Sequence, residues 1–521
     1  MVLRHGLLLS FSLVALAASA AAQENGTLTT PVQTAPNPAP PAKPPHHAKP
    51  QRIKVAQATV DPAPKAKPTP ASAPAADGLP HTLIEALAAT YTYQPALQAE
   101  RARLRLTDEN VPAALAGWRP TVLLAGGVGY GDGKSQQYLA GSGILAAQTD
   151  RLIATAQATV TQNLYTGGKV QANVNRSKNQ VMAERATLIA QEQTSFNNTV
   201  SSYVGVIQAK ELLDLQINNE QVLAKQLEAT NDRFRVGEIT RTDVAQAEAA
   251  LEGARATRET AVGNLQTARG TFQQIIGVFP PDDLVEPQPL NLPIKSEQEA
   301  SALATANNPN VITALFNDAA AKDAIDVAFS ALLPTVSLQG QTFQQNNASG
   351  RSTIANGYQV VAQVSLPLYQ GGSEYAAVRQ ARQSEQQTQR LIDDAKRTAV
   401  QNAVQAWDTL VAAKASADST RAQIRANEIA LEGTEREAIV GSRTTLDVLN
   451  ATQLLLQSRT TLVQNLAQVI TASYSVAVAI GRLTARDLHL PVPLYDETAY
   501  YQAVKDKWFG LGDYATNQPG R

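Results

Sequence analysis

The sequence predicts an α+β membrane protein in which strand hairpins for a β-barrel join long antiparallel helical hairpins. Three observations predict it. One structural unit is written twice within residues 81–481, each copy holds a proline-free helical stretch far longer than a globular domain needs, and each holds runs that alternate polar and apolar residues.

The chain begins with a secretory pattern. Arg4 and His5 precede an apolar run from Leu7 to Leu16, and Ala20, Ala21 and Ala22 lead to Gln23. A basic start, a short apolar middle and a small-residue cleavage site predict a signal peptide over 1–22. The alternative, a membrane anchor helix, is weaker because the run is too short to span comfortably. With no cysteine in the chain, lipid attachment at that site, disulfides and a thiol nucleophile are all excluded. No later stretch reads as a transmembrane helix, which leaves a soluble protein or a β-barrel.

Residues 23–80 hold half of the 28 prolines, interleaved with Ala, Lys and Thr. Proline lacks the amide hydrogen and fixes φ, so the segment reads as an extended, disordered linker. The pair His46–His47 inside it reads as solvated chain, not a metal site. A net charge of -1 shows no electrostatic footprint for nucleic acid.

Repeat 1 covers 81–277 and repeat 2 covers 297–481, with a connector at 278–296 and a tail at 482–521. Tyr165, Gly167 and Gly168 reappear 204 residues later as Tyr369, Gly371 and Gly372. Val236, Gly237, Asp243 and Val244 reappear as Val440, Gly441, Asp447 and Val448, and Gly277 as Gly481, at the same offset. Upstream, Pro95 and Pro120 match Pro309 and Pro334 at an offset of 214, so the first copy carries ten extra residues between Pro120 and Tyr165.

Within each copy the elements follow in order after a first helix. The strand hairpins are expected at 118–165 and 333–369. Tyr358, Val360, Ala362, Val364, Leu366 and Leu368 alternate with Gln359, Gln363 and Ser365; Leu152, Ala154, Ala156, Ala158 and Val160 alternate with Thr155, Gln157, Thr159 and Thr161. Period two means strands with one apolar and one polar face, and runs of about ten residues suit a membrane barrel. Four strands cannot close a barrel and open edges are not tolerated in lipid, so several chains are required. Three chains would supply twelve strands, although the sequence does not count them.

The long helical hairpins are expected at 168–277 and 372–481. Phe196, Val200, Tyr203 and Ile207 lie at helical spacing, as do Val400, Val404, Trp407 and Val411; Ala395, Ala399, Ala403, Ala406 and Leu410 form a second seam. Two seams on one helix imply two packing neighbours. A helix of this length reaches on the order of 100 Å. The returning helices repeat small knobs at heptad spacing, broken by Arg258 in one and Asn465 in the other. Glycine at 237 and 441 suits the reversal, and Thr240 and Thr444 sit where they cap the returning helix.

The doubled motifs and the run from Gly481 to Leu488 resemble the TolC family of outer-membrane factors over nearly all of 81–515, and the ending Leu490 to Asp496, followed by Lys507 to Gly510, resembles its branch associated with type I secretion. The resemblance implies a homotrimer, with a twelve-stranded barrel in outer-membrane lipid continuous with a coiled-coil periplasmic tunnel. It implies docking to a periplasmic adaptor and to an inner-membrane ABC or proton-driven transporter, as a passive duct for type I protein secretion and/or drug efflux. Val236, Gly237 and Thr240, with Val440, Gly441 and Thr444, correspond to the adaptor-docking tips. Asp447 corresponds to an acidic ring at the aperture, and Arg443 to a latch reaching Thr242 and Asp243 of a neighbouring hairpin. Three converging carboxylates would favour cations; alternatively Asp447 merely supports the first turn of its helix. Asn450 stands where the family has a second acidic ring and Ala438 where its latch has a tyrosine, which predicts a less cation-selective, more loosely latched tip.

No catalytic, metal or cofactor constellation is legible. The glycines from Gly126 to Gly131 precede no helix that would present a phosphate site, and the five histidines are scattered. The competing class is a secreted, non-pore coiled-coil scaffold of the envelope.

Overall fold

A computed structural model describes residues 79–141, 143–348, 351–512 and 514, all within one compact unit, 72–521. The expected signal peptide and almost all of the expected linker lie outside the described residues. Four strands form one antiparallel sheet in sequence order: β1 Thr121–Leu139, β2 Gly143–Thr166, β3 Thr335–Asn346 and β4 Ile354–Ser365. Helices α1 Leu83–Tyr93, α2 Pro95–Asp108 and α3 Asn110–Leu115 precede β1. α4 Lys169–Arg235 and α5 Arg241–Ile276 follow β2, α6 Glu297–Asn307 and α7 Pro309–Phe329 precede β3, and α8 Ser373–Ile439 and α9 Thr445–Ala479 follow β4. A short α10, Ala499–Val504, lies in the tail.

α4 and α8 are each 67 residues, begin 204 positions apart, and reach about 100 Å at the rise of an α-helix. Each begins after a glycine in the left-handed region, Gly168 at φ 83 and Gly372 at φ 86. Pro95 and Pro309 occupy the first turn of α2 and α7, where no amide hydrogen is needed.

The register gives the sheet two unlike faces. Val122, Leu124, Val128 and Tyr130 of β1 share a face with Leu152, Ala154, Ala156, Ala158 and Val160 of β2, Val336 and Leu338 of β3, and Tyr358, Val360 and Val364 of β4. The opposite face carries Thr155, Gln157, Thr159, Ser337, Gln339, Gln341, Gln359 and Gln363, with Gln359 Nε2 donating to Gln341 at 2.8 Å. β1 and β2, at 19 and 24 residues, are longer than the expected ten or so, whereas β3 and β4 have 12 each. The ten extra residues of the first copy extend the β1–β2 ladder beyond Ala154, where β3 has ended, out to the Leu139–Gly143 pair. The glycines from Gly126 to Gly131 lie inside β1. Pairing of β4 stops at Ser365, short of 369, because Pro367 has no amide hydrogen to continue a ladder.

Two apolar clusters hold the helices. In the first, Phe196, Val200 and Tyr203 of α4 are fully buried with Leu87, Leu97, Leu104, Phe272 and Leu483. In the second, the alanine seam of α8 (Ala399, Ala403, Leu410) meets Ala300 and Ala304 of α6 and Val476 and Ile480. The larger stripe of α8 is pushed aside: Trp407 is half-buried and Val411 exposed, because small residues let α6 and α9 approach most closely. Both breaks in the heptads are cross-helix polar links. Arg258 Nη1 donates to Glu220 of α4 at 2.9 Å, and Asn465 Nδ2 to Ser416 and Thr420 of α8, each at 3.0 Å.

α9 corrects one expectation. By length and composition it is apolar enough to cross a membrane, unlike any other described helix. It instead packs along α8, with Val448, Leu455, Val469, Val476 and Ala477 buried.

The tail folds back as a strap. Arg101 of α2, 1% exposed, donates to the Tyr91 carbonyl at 3.0 Å, its guanidinium 4.5 Å from the Tyr91 ring and 5.2 Å from that of Tyr495. The Tyr495 amide donates to the Tyr91 hydroxyl at 2.9 Å, and the Ala485 amide to the Glu192 carboxylate at 2.6 Å. Burial pushes the Glu192 carboxyl up to about 7, against the lowering pull of the Ala485 amide and Arg101. Burial also lifts the fully buried Asp108, at the end of α2, to about 7; neither of its oxygens accepts a hydrogen bond.

Candidate functional site

The ends of the two helical hairpins share one construction. α4 stops at Arg235; Gly237 then takes φ 82, its amide donates to the Phe234 carbonyl at 3.0 Å, and the Glu238 amide to Arg233 at 3.0 Å. α8 stops at Ile439; Gly441 takes φ 81, its amide donates to Ala438 at 3.3 Å, and the Ser442 amide to Glu437 at 3.0 Å. Paired bonds of this kind satisfy carbonyls left open at a helix end, and the positive φ explains the glycine.

Thr240 and Thr444 are the N-caps of α5 and α9, each in a full capping box. Asp243 accepts from the Thr240 amide at 2.9 Å and hydroxyl at 2.7 Å. Asp447 accepts from the Thr444 amide at 3.0 Å and hydroxyl at 2.8 Å. The hydroxyl and amide of Thr240 hold the Asp243 carboxyl below its ordinary value, and the amide and hydroxyl of Thr444 do the same for Asp447. Both are therefore anions at neutral pH, engaged with their own helix ends through one carboxylate oxygen each. Supporting the first helical turn and carrying charge at the tip are thus compatible roles.

Arg443 is paired within its own hairpin. Its Nε donates to Glu437 at 3.0 Å, and that carboxylate, with Asp447 nearby, raises the guanidinium further. The other tip mirrors this with the charges exchanged: Arg233, on the outgoing helix, meets Glu238 beyond the glycine at 2.9 Å. Within one chain the structure does not bring Arg443 to Thr242 or Asp243, which lie on the other hairpin. Thr242 and Asn450 are exposed, as are Val236, Ile439 and Val440, so each tip presents bare aliphatic side chains beside charged ones. Glu437 and the Arg233–Glu238 pair were not among the expected site residues. Opposite charges five and six positions apart across a Val–Gly turn were the available signal.

The "Outer membrane efflux protein" family profile matches twice, at residues 90–278 and 300–482. The chain is 34% identical to outer membrane efflux protein BepC of Brucella suis biovar 1 (strain 1330), over 83% of this chain and 92% of BepC. It is 26% identical to outer membrane protein TolC of Escherichia coli (strain K12), over 64% of this chain and 70% of TolC. In fold it resembles the crystal structure of outer membrane protein VceC from Vibrio cholerae, with a TM-score of 0.66 and 18% identity, covering 77% of this chain and 96% of VceC. Mostly helical, with a four-stranded sheet that joins two long helical hairpins, the chain belongs to the outer membrane efflux protein family.

Proposed function

We propose that this chain is the outer-membrane channel of a tripartite export system, a passive duct for drug efflux and/or type I protein secretion and not an enzyme. The observation that carries the reading is the sheet. One face is apolar and exposed, the other is lined by Gln, Thr and Ser, and β1 and β4 each pair on one side only. An open edge in lipid leaves amides and carbonyls without partners, so the sheet needs further copies to close. Three copies would supply twelve strands, with the apolar face toward lipid and the polar face lining water. α4 and α8, with their shorter partners, would then continue the barrel as a periplasmic tunnel of twelve helices.

In this reading the two halves are copies of one ancestral unit, residues 1–22 are a cleaved signal peptide, and 23–80 is a linker. The tips around Val236, Gly237, Thr240, Val440, Gly441 and Thr444 receive a periplasmic adaptor that joins the duct to an inner-membrane transporter. Asp447 carboxylates from three chains line the aperture, and Arg443 exchanges between Glu437 of its own hairpin and Thr242 and Asp243 of a neighbour's. The name of the Brucella relative favours efflux, whereas the ending from Leu490 to Gly510 leans toward type I secretion. Membrane fractionation and planar-bilayer recording test the reading. A detergent-extracted trimer that conducts supports it; a soluble, non-conducting monomer would favour the envelope scaffold.

A further inference from the structure

The run Lys507, Trp508, Phe509, Gly510, Leu511 serves neither the tips nor the packing of the helices. After α10, the Lys507 amide donates to the Val504 carbonyl at 3.0 Å, and Val504 is the last buried residue among the described residues. Arg119, two residues before β1, then takes hold of the chain. Its Nη1 donates to the Lys507 carbonyl, and its guanidinium lies 5.0 Å from the Trp508 ring. The segment is thereby pinned at the end of the sheet where the helices begin. There Trp508 is 64% exposed, Phe509 87% and Leu511 fully, and Trp118, the chain neighbour of Arg119, is partly exposed. Three large apolar side chains within four residues, held in place yet uncovered, form a surface made for a partner.

The position indicates which partner. The apolar face of β1 starts at Val122 and Leu124 and reaches Tyr130, about 26 Å along the strand. Membrane barrels carry an apolar band of about that height, flanked by aromatic girdles at both interfaces. Tyr130 stands at the far end of this band, and Trp118 and the segment Trp508–Phe509 at the near end. The cations of Arg119 and Lys507 lie among the near aromatics, where lipid phosphates would be met. We propose that Trp508, Phe509 and Leu511 insert into the helix-side leaflet of the outer membrane, so that the C-terminal segment, not a strand, completes the inner aromatic girdle. The proposal rests on the barrel reading above.

Because the chain has no cysteine, single labels are clean. Nitroxides at Phe509→Cys, Leu124→Cys and Ser442→Cys of the full chain, in phosphatidylethanolamine–phosphatidylglycerol vesicles, are compared for collision with oxygen and with a water-soluble nickel chelate. The oxygen-to-nickel ratio at 509 is expected to approach that at 124 and exceed that at 442 at least threefold, on the order expected for burial at the interface. A lipid-like 124 with a water-like 509 overturns the proposal and leaves the barrel standing. A label at 509 shielded from both reagents overturns it in favour of a neighbouring copy. A water-like 124 removes the barrel reading and the proposal together. Trp508 gives an independent check without change at the segment. In a Trp118→Phe, Trp407→Phe chain its emission should be quenched by brominated phospholipid, and emission unaffected by that lipid overturns the proposal.

Discussion

Gly277 and Gly481 end the two returning helices 204 residues apart, and replacing each by alanine separates backbone strain from tertiary fit. Gly277 has φ 93 and Gly481 φ 75, so either alanine is forced into the left-handed region at about 1–2 kcal/mol. Around Gly277 an added Cβ meets nothing within 4 Å. At Gly481 it would lie 2.4 Å from the Asn307 carbonyl oxygen and 2.9 Å from its carbon, where real contacts stay beyond 3.0 Å. The Asn307 backbone would have to retreat by about 0.6 Å, the difference between 3.0 and 2.4. That backbone leads into Asn308, which caps α7 and donates through Nδ2 to the Ala479 carbonyl at 3.2 Å. Overpacking adds about 1–3 kcal/mol and a strained bond about 1 more. Gly481→Ala should therefore lose about 3–6 kcal/mol against about 1–2 for Gly277→Ala. Calorimetric melts of both purified variants at one protein concentration measure the contrast. Equal losses, or a larger loss at Gly277, would refute the steric argument.

Other consequences concern charge and the tips. Asp108 titrates near 7 in the fold against 3.8 ordinarily, so the folded chain holds a proton that the unfolded chain has lost between those values. Stability should then fall as pH rises from about 4 to 7 and level off above, by at most about 4 kcal/mol for a shift of about three units. Asp108→Asn should abolish that part of the slope in melts from pH 5 to 8, and an unchanged slope would show that Asp108 is not its source. Thr444→Ala removes the cap of α9 at about 1 kcal/mol, so amides of residues 445–447 should exchange about fivefold faster with deuterium, while the Thr240 cap stays as it was. Asn450→Asp adds a carboxylate one turn beyond Asp447; single-channel reversal potentials should move toward greater cation selectivity, and no movement would count against Asn450 facing the aperture.

Much of the local architecture was legible because local physics decides it. The glycines at 237 and 441 and the threonines at 240 and 444 carry their geometry in their own residue types: a left-handed turn and a side-chain cap are made within a few residues. The polar–apolar alternation of the strands survives in the register, since a slip of one position would turn every side chain to the wrong face. The choice among seams was less legible. The valine–tryptophan stripe of α8 looked as apolar as its alanine seam, and only the close approach of α6 and α9 put Ala399 and Ala403 in the core. α9 misleads in the other direction, apolar enough for a membrane and yet a packed helix.

The sequence by itself determined the element types, the helical reversals and the family, because periodicity, glycine and caps act over short separations along the chain. Only the tertiary structure decided that the tail is strapped across Arg101 and pinned by Arg119. These contacts turn on where a side chain arrives once the chain is packed. Arg119 and Lys507 are 388 residues apart, and no short-range rule relates positions at that distance.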